Sequence, residues 1–293
     1  MKNAVKEFAK SKGIEYIGVV SAEPMLKLKE YLTNKRSLCG ASDFEEPDIE
    51  KRINPKLLME DAKSLIVCLF PYHTGNEKCG NVSKYAQIPD YHKVCKKLLG
   101  EICDFLKENK ENTKTLCFSD NGPLHDKYLA YSAGLGFLGK NTLLINERYG
   151  SFVFIGYIVT NLELEPDNPL DKFCLSCGKC LDACPGKALS TEGFNEKKCV
   201  SYITQIKDAD EKQKKILYSQ TSVYGCDVCQ NVCPHNKDIP KTPIKEFYEK
   251  RLETLRKEEI EAMSNKKFKE SYSDFAFSWR GKKAILKNFS DKA

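Results

Sequence analysis

The stretch "CLSCGKCLDACPGKAL", residues 174–189, restricts this chain more than any other. Its cysteines stand as Cys174-x2-Cys177-x2-Cys180-x3-Cys184, with Pro185 directly after. Two-residue gaps in a tight loop bring three thiolates to a cubane iron–sulfur cluster from three directions. The fourth thiolate points away, and the proline helps to turn the chain. A second run, Cys226-x2-Cys229-x3-Cys233-Pro234, repeats that ending without a first cysteine, and Cys199 is the obvious substitute. Eight thiolates then serve two [4Fe–4S] clusters with exchanged fourth ligands. Cys174, Cys177, Cys180 and Cys233 hold one, and Cys184, Cys199, Cys226 and Cys229 hold the other. Two four-cysteine zinc sites are the competing reading, but zinc ribbons use separated CxxC pairs rather than one compact run.

Two clusters imply electron transfer. A ferredoxin needs only the cluster segment, whereas 173 residues precede Cys174 here, so another domain receives the electrons. Six further cysteines are scattered (Cys39, Cys68, Cys79, Cys95, Cys103, Cys117) and are expected to be buried thiols acting as small apolar side chains. Hydrophobic residues make up 41% and the mean hydropathy is −0.49. No apolar run approaches the roughly 20 residues of a membrane span. The start, "MKNAVKEFAKSKG", has no apolar signal region. The expectation is a cytoplasmic protein with no membrane partner. The net charge of +6 is uneven: from Lys237 to Ala293 there are 15 Lys+Arg against 10 Asp+Glu. A basic end on a near-neutral body points to a polyanionic partner.

Periodicity predicts a helix over 2–12, a strand in "GIEYIGVV", a helix in "AEPMLKLKEYLTNK", and a buried strand at "SLIVCLF". "DYHKVCKKLLGEICDFLKEN" is an amphipathic helix with Val94, Leu98, Ile102 and Phe105 on one stripe. "TKTLCFSDNGP" reads as a strand ending in an Asn-Gly turn, and "LHDKYLAYSAGLG" as a helix closed by glycine. "TLLINERYGSFVFIGYIVTNLEL" reads as two antiparallel strands joined at Asn146–Gly150. With no regular βαβ repeat, the predicted class is α+β. A mixed α/β domain over 1–165 precedes a ferredoxin-like two-cluster domain over 166–240 and a basic helical tail over 241–293. There is no GxGxxG fingerprint after a strand, and "AGLGFLGKN" lacks Rossmann and Walker spacing; its glycines suit close approach to a large planar cofactor.

The segment "DNGPLHDKYLAYSAGLGFLGKNTLLINERYGSFVFIGYIVTNLELEPD", followed by the cluster runs and "YGCDVCQNVCPHN", resembles the epoxyqueuosine reductases. "FEEPDIEKRINPKLLMEDAKS", "DYHKV" and "SWRGKK" match further motifs of that family, and the likeness runs from about residue 13 to 288. The family is cobalamin- and iron–sulfur-dependent and catalyses the last step of queuosine synthesis on tRNA. The resemblance therefore implies two-electron removal of an epoxide oxygen, as water, at the wobble position. It assigns Asp120 of "SDNG" as proton donor, which calls for a carboxyl pKa raised by burial. It places Arg52, Ser83, Asp120, Lys140, Asn141, Leu144, Ser201 and Thr204 near the cobalamin, and lets Tyr91 and His92 line the site. No DxHxxG motif is present, so cobalamin binding without a protein histidine ligand is implied.

The implied partners are the anticodon region of an epoxyqueuosine-containing tRNA and a low-potential electron donor, with the chain acting as a monomer. Many members carry an arginine-rich stretch before "DYH" and a helical-repeat domain after the clusters. Here the first reads "KYAQIPDYH" and the sequence stops at Ala293. Phosphate contacts then fall to Arg280, Lys282, Lys283 and Lys287. Two other readings compete: a reductive dehalogenase-like corrinoid enzyme for a small molecule, and an electron carrier or corrinoid-reactivating protein. The first is usually exported with a twin-arginine signal, absent here, and the second needs no acid such as Asp120.

Overall fold

The computed structural model describes residues 1–39, 43–75 and 80–289, with residues 38 and 39 described by their backbone alone. Its strands are β1 (Tyr16–Ser21), β2 (Ser64–Pro71), β3 (Thr115–Ser119), β4 (Phe137–Leu138), β5 (Leu144–Ile145) and β6 (Val153–Thr160). Helices α1 (Lys2–Ser11), α2 (Leu26–Cys39), α3 (Ile49–Ile53), α4 (Tyr91–Asn109) and α5 (Asp126–Ser132) lie between them. β1, β2, β6 and β3 form one antiparallel sheet in that order. The α+β class follows, because no strand pair in it is parallel.

β2 is buried along its whole length because helices cover both faces of the sheet. Ile66, Cys68 and Phe70 pack with Val5 and Ala9 of α1 and with Leu98, Leu99 and Ile102 of α4. Leu65, Val67 and Leu69 pack on the opposite side with Leu28 and Leu32 of α2, Ile53 of α3, and Leu129 and Ala130 of α5. Period-two alternation in β2 thus feeds two cores at once. In α4 the predicted stripe is the buried one, with Val94, Leu98 and Ile102 inside and Phe105 packed against them. Each large apolar side chain buried there contributes roughly 1.5–3 kcal/mol. Asp90 caps the helix by accepting from the His92 backbone N–H at 3.1 Å.

The hairpin expected over 142–164 does not form. β5 pairs with β4, while β6 is taken on both edges by β2 and β3. A central strand has no free edge for a third partner. The turn itself exists: the Asn146 side chain accepts from the backbone N–H groups of Arg148 and Tyr149 and donates to Leu135 O.

The cluster segment is built of short pieces: α6 (Lys179–Asp182), α7 (Val200–Ile203), α8 (Glu211–Tyr218) and α9 (Val228–Asn231). It docks on the sheet through buried polar contacts. Gln230 Nε2 donates to Tyr72 Oη and to Ser151, and Asn236 bonds both Ser151 and Gln230. Gly150, at φ +57°, is required at this seam: a Cβ there would stand 1.9 Å from Asn236 Oδ1.

The C-terminal segment carries α10 (Lys257–Ala262), α11 (Asn265–Tyr272) and α12 (Lys282–Leu286). Ile244 and Phe247, just before them, join the core beneath α1 and α4. Phe268, Phe277 and Ile285 pack with Val82 and Ala86 of the first domain and Val223 and Tyr224 of the cluster segment. The segment clasps the other two rather than trailing from them. Cys68, Cys95 and Cys103 are buried and Cys117 is half-buried. Cys79 and the Cys39 side chain lie outside the described residues.

Candidate active site

The eight clustered thiols fall into two groups. Cys174, Cys177, Cys180 and Cys233 line one hollow together with Lys140, Asn141 and His235. Cys184, Cys199, Cys226 and Cys229 line a separate cavity of about 360 Å³, faced by Tyr72, Tyr85, Tyr91 and Phe154. Backbone shape makes the division. Ser176 at φ +53° and Gly178 at φ +75° curl the first run so that three thiols converge. α6 then carries Cys184 away into the core, 8% exposed, facing the other group. Cys233 reaches the first hollow because α9, bearing Cys229, packs against α6. Burial raises the thiol pKa values of Cys180, Cys199, Cys226 and Cys233, with neighbouring thiols of the same group adding to the effect. Such thiols lose their protons only against metal charge. Among the described residues, no three His, Cys, Asp or Glu side chains close on a single ion. His235 Nε2 and Asn141 Nδ2, both in the wall of the first hollow, are buried without a partner. They are donors suited to a sulfide-rich cluster.

A larger cavity of about 730 Å³ adjoins the second group and shares Lys127, Thr142, Phe194, Cys199 and Ser201 with it. Together the two volumes exceed what a small substrate needs. Asp126 Oδ1, in the wall, is buried and unpartnered. The size, one thiol-lined end and an unmet polar atom fit a large macrocyclic cofactor lying between the clusters and Asp120.

Asp120 follows β3 on a loop and holds φ +65°, rare for a residue with a Cβ. The loop is pinned by Gly122, where a Cβ would stand 2.0 Å from the buried Tyr157 hydroxyl. Asp120 Oδ2 accepts from Tyr91 Oη–H at 2.6 Å and lies 3.2 Å from His92 Nε2. His92 Nδ1 lies 2.8 Å from Asp90 Oδ1. Crowding at the cavity wall pushes the Asp120 carboxyl up, but the His92 and Tyr91 hydrogen bonds outweigh it and hold the carboxyl below its ordinary value. The raised carboxyl pKa expected from burial is therefore not found. His92 is the counterpart: burial lowers it, yet hydrogen bonds and charge from Asp120 and Asp90 take it up to about 9. The proton at neutral pH rests on the imidazole. Burial, and next the charge of Asp120, push the nearby Asp126 carboxyl well up from its ordinary value.

The other expected residues are dispersed. Arg52 is buried beside the large cavity and paired with Glu45 at 2.7 Å. Ser201 lines both large volumes, and Asn141 both thiol-lined spaces. Lys140 stands at the first hollow. Ser83 is buried against Gly225 with an unpartnered hydroxyl. Thr204 is buried, donates to Ser201 O and accepts from Gly225 N–H, so it ties α7 to the cluster loop. Leu144 packs into the core, and Leu143 is the residue that faces the cavity. Lys127, Asp126, Tyr72, Tyr85 and Phe154 escaped the sequence reading. "LHDK", polar residues opening a helix directly after "SDNGP", is the signal that would have pointed to the first two.

Two thiol groups suited to cubane clusters, beside a large cofactor cavity with an aspartate in its wall backed by a protonated histidine, define an iron–sulfur oxidoreductase. A family model described as "4Fe-4S double cluster binding domain" matches residues 173–236, and one described as "Epoxyqueuosine reductase QueG, DUF1730" matches residues 52–121. The epoxyqueuosine reductase of Bacillus subtilis (strain 168) is 40% identical over 98% of this chain and 77% of its own length. A crystal structure of epoxyqueuosine reductase with an epoxyqueuosine-modified tyrosine tRNA stem loop superposes with TM-score 0.85 at 36% identity, covering 98% of this chain and 79% of that one. A structure of the Bacillus subtilis enzyme with its aspartate-bearing catalytic loop swung out of the active site gives 0.84 at 36% identity, with the same coverage. The chain belongs to the epoxyqueuosine reductase family.

Proposed function

We propose that Asp120, charged with a proton from His92, is the group that protonates the epoxide oxygen in this enzyme's reaction. The chain reduces epoxyqueuosine in tRNA to queuosine, and its cofactors are two [4Fe–4S] clusters and cobalamin. When bound, the cobalamin supplies the reducing electrons that the clusters deliver. The overall change consumes two electrons and two protons and releases the oxygen as water. C–O cleavage leaves alkoxide character on that oxygen, so an acid must stand beside it.

The observation that carries the assignment is the contact of Asp120 Oδ2 with both Tyr91 and His92, on a strained loop in the wall of the large cavity. Asp90 orients the imidazole, Tyr91 orients the carboxylate, and His92 stores the proton. Asp126, its carboxyl pushed up by burial, lines the same cavity. The first cluster takes Cys174, Cys177, Cys180 and Cys233, and the second takes Cys184, Cys199, Cys226 and Cys229. Arg52, Ser201, Asn141 and Lys127 hold the cofactor's polar periphery. A low-potential electron donor docks over Phe173 and Leu175, exposed apolar side chains beside the first thiol group. The protein works as a monomer in the cytoplasm, where its tRNA substrate is. Among the described residues, no helix is long and apolar enough to cross a membrane.

The test is turnover of an epoxyqueuosine-containing tRNA stem loop by anaerobically reconstituted enzyme with a chemical reductant. Asp120→Asn should lose roughly 100-fold or more in kcat, the usual share of a general acid, while still binding RNA and both kinds of cofactor. Near-normal kcat in that variant would remove Asp120 from the chemistry.

A further inference from the structure

The rim of the large cavity carries an aromatic and cationic cluster that the chemistry above does not use. Phe44 and Tyr202 line the cavity wall that also holds Asp120. Their rings meet at 5.3 Å, and Phe44 meets Trp279 at 6.4 Å, both edge to face. The Arg280 guanidinium lies 3.9 Å over the Trp279 ring and 5.6 Å from that of Phe44. The group is open to solvent: Trp279 is 56% exposed and Phe44 43%. Trp279 is held from below, its indole N–H donating to Tyr224 Oη at 3.1 Å.

We propose that Phe44, Trp279 and Arg280 form a base-stacking platform for the unpaired nucleotides that flank the one being reduced. The inference rests on the RNA-substrate reading and extends it to a surface that reads the neighbours. Single-stranded RNA loops are bound by stacking splayed bases on aromatic rings and guanidinium planes, because every base offers a π face. A nucleotide inserted toward Asp120 brings its chain neighbours to the cavity mouth, where these rings stand. Asp43 is occupied by Tyr202 Oη–H at 2.6 Å, and Glu45 by Arg52 and Lys35 at 2.7 and 3.2 Å. Arg280 is exposed and has no carboxylate partner among the described residues. A cation stacked on an exposed indole, beside a second exposed ring, is a surface built to take a third planar group.

Trp279 is the chain's single tryptophan, so its emission reports this site alone. Holoenzyme titrated with an epoxyqueuosine-containing stem loop should show saturable quenching of that emission. In steady-state assays Trp279→Ala should raise KM on the order of tenfold or more, as removal of a stacking partner does, with kcat retained. Trp279→Phe, which keeps a ring but loses the Tyr224 hydrogen bond, should restore most of the affinity and so separates stacking from folding. A stem loop made abasic beside the modified nucleotide should weaken the wild-type enzyme but not Trp279→Ala. Unchanged emission at saturating RNA, or an unchanged KM in Trp279→Ala, would overturn the platform. Absence of wild-type turnover is the separate result that would overturn the substrate reading.

Discussion

Asp120 concentrates the residue-scale chemistry. Its backbone sits where non-glycine residues are rarely found, a strain that persists at sites whose surroundings over-determine them. Its side chain still shows 57% of its surface to solvent, so its pairing with His92 contributes less to stability than to placing a proton. The signs can be worked out. The His92 value rises from 6.5 to about 9 on folding, so its stabilising share is complete below about 6.5 and is lost as pH climbs through about 9. The Asp120 value falls below 3.8, so its share is present above that value and lost as pH drops through the lowered one. The pair is intact between these limits. A pH–rate profile of kcat should therefore be level through neutrality and fall as pH passes about 9. His92→Gln should lower kcat and abolish that alkaline limb; if the limb persists, another group stores the proton. The acid role implied by the resemblance called for a carboxyl raised by burial. That two donors would reverse its effect was not readable from sequence, because Tyr91 and His92 arrive from a helix 28–29 positions earlier.

At the scale of elements, the two cysteine runs show how far spacing reaches. Each run reads as a local unit, yet α6 and α9 pack so that each contributes a thiol to the other's group. Single substitutions should expose the exchange. Cys233→Ala should disturb the cluster of the first run, and Cys184→Ala the cluster of the second. In each case about half the iron should be lost while the other cluster keeps its paramagnetic resonance signal on reduction. If Cys233→Ala instead disturbed the cluster of Cys226 and Cys229, ligation would be sequential within runs. The missing hairpin at 142–164 has the same origin. Local turn chemistry was right at Asn146–Gly150, but β6 found its partners in β2 and β3, far away in the chain.

Across the whole molecule, the basic C-terminal segment has two duties. Lys282 is tied to the carbonyls of Glu261 and Met263, and Lys287 to those of Ile206 and Lys207. Burial also holds the Lys287 pKa below its ordinary value. These two lysines secure the clasp. Arg280 and Lys283 stay exposed and remain available to phosphate. RNA affinity should fall steeply with salt. Lys283→Met should reduce the slope of log K against log salt by roughly 0.7–0.9, the share of one neutralised phosphate. An unchanged slope would exclude Lys283 from the contact.

Sequence by itself determined the α+β class, the helices and strands with strong periodicity, and the two-cluster chemistry. These rest on patterns that act within a few residues: alternation, helical stripes and short cysteine gaps. The tertiary structure decided which strand edges pair, where the C-terminal segment lies, and what ionisation state Asp120 holds. It also moved Leu144 into the core, leaving Leu143 to face the cavity. Those outcomes depend on contacts between residues distant in the chain. Their energies come from shared burial and from charges that meet only after folding.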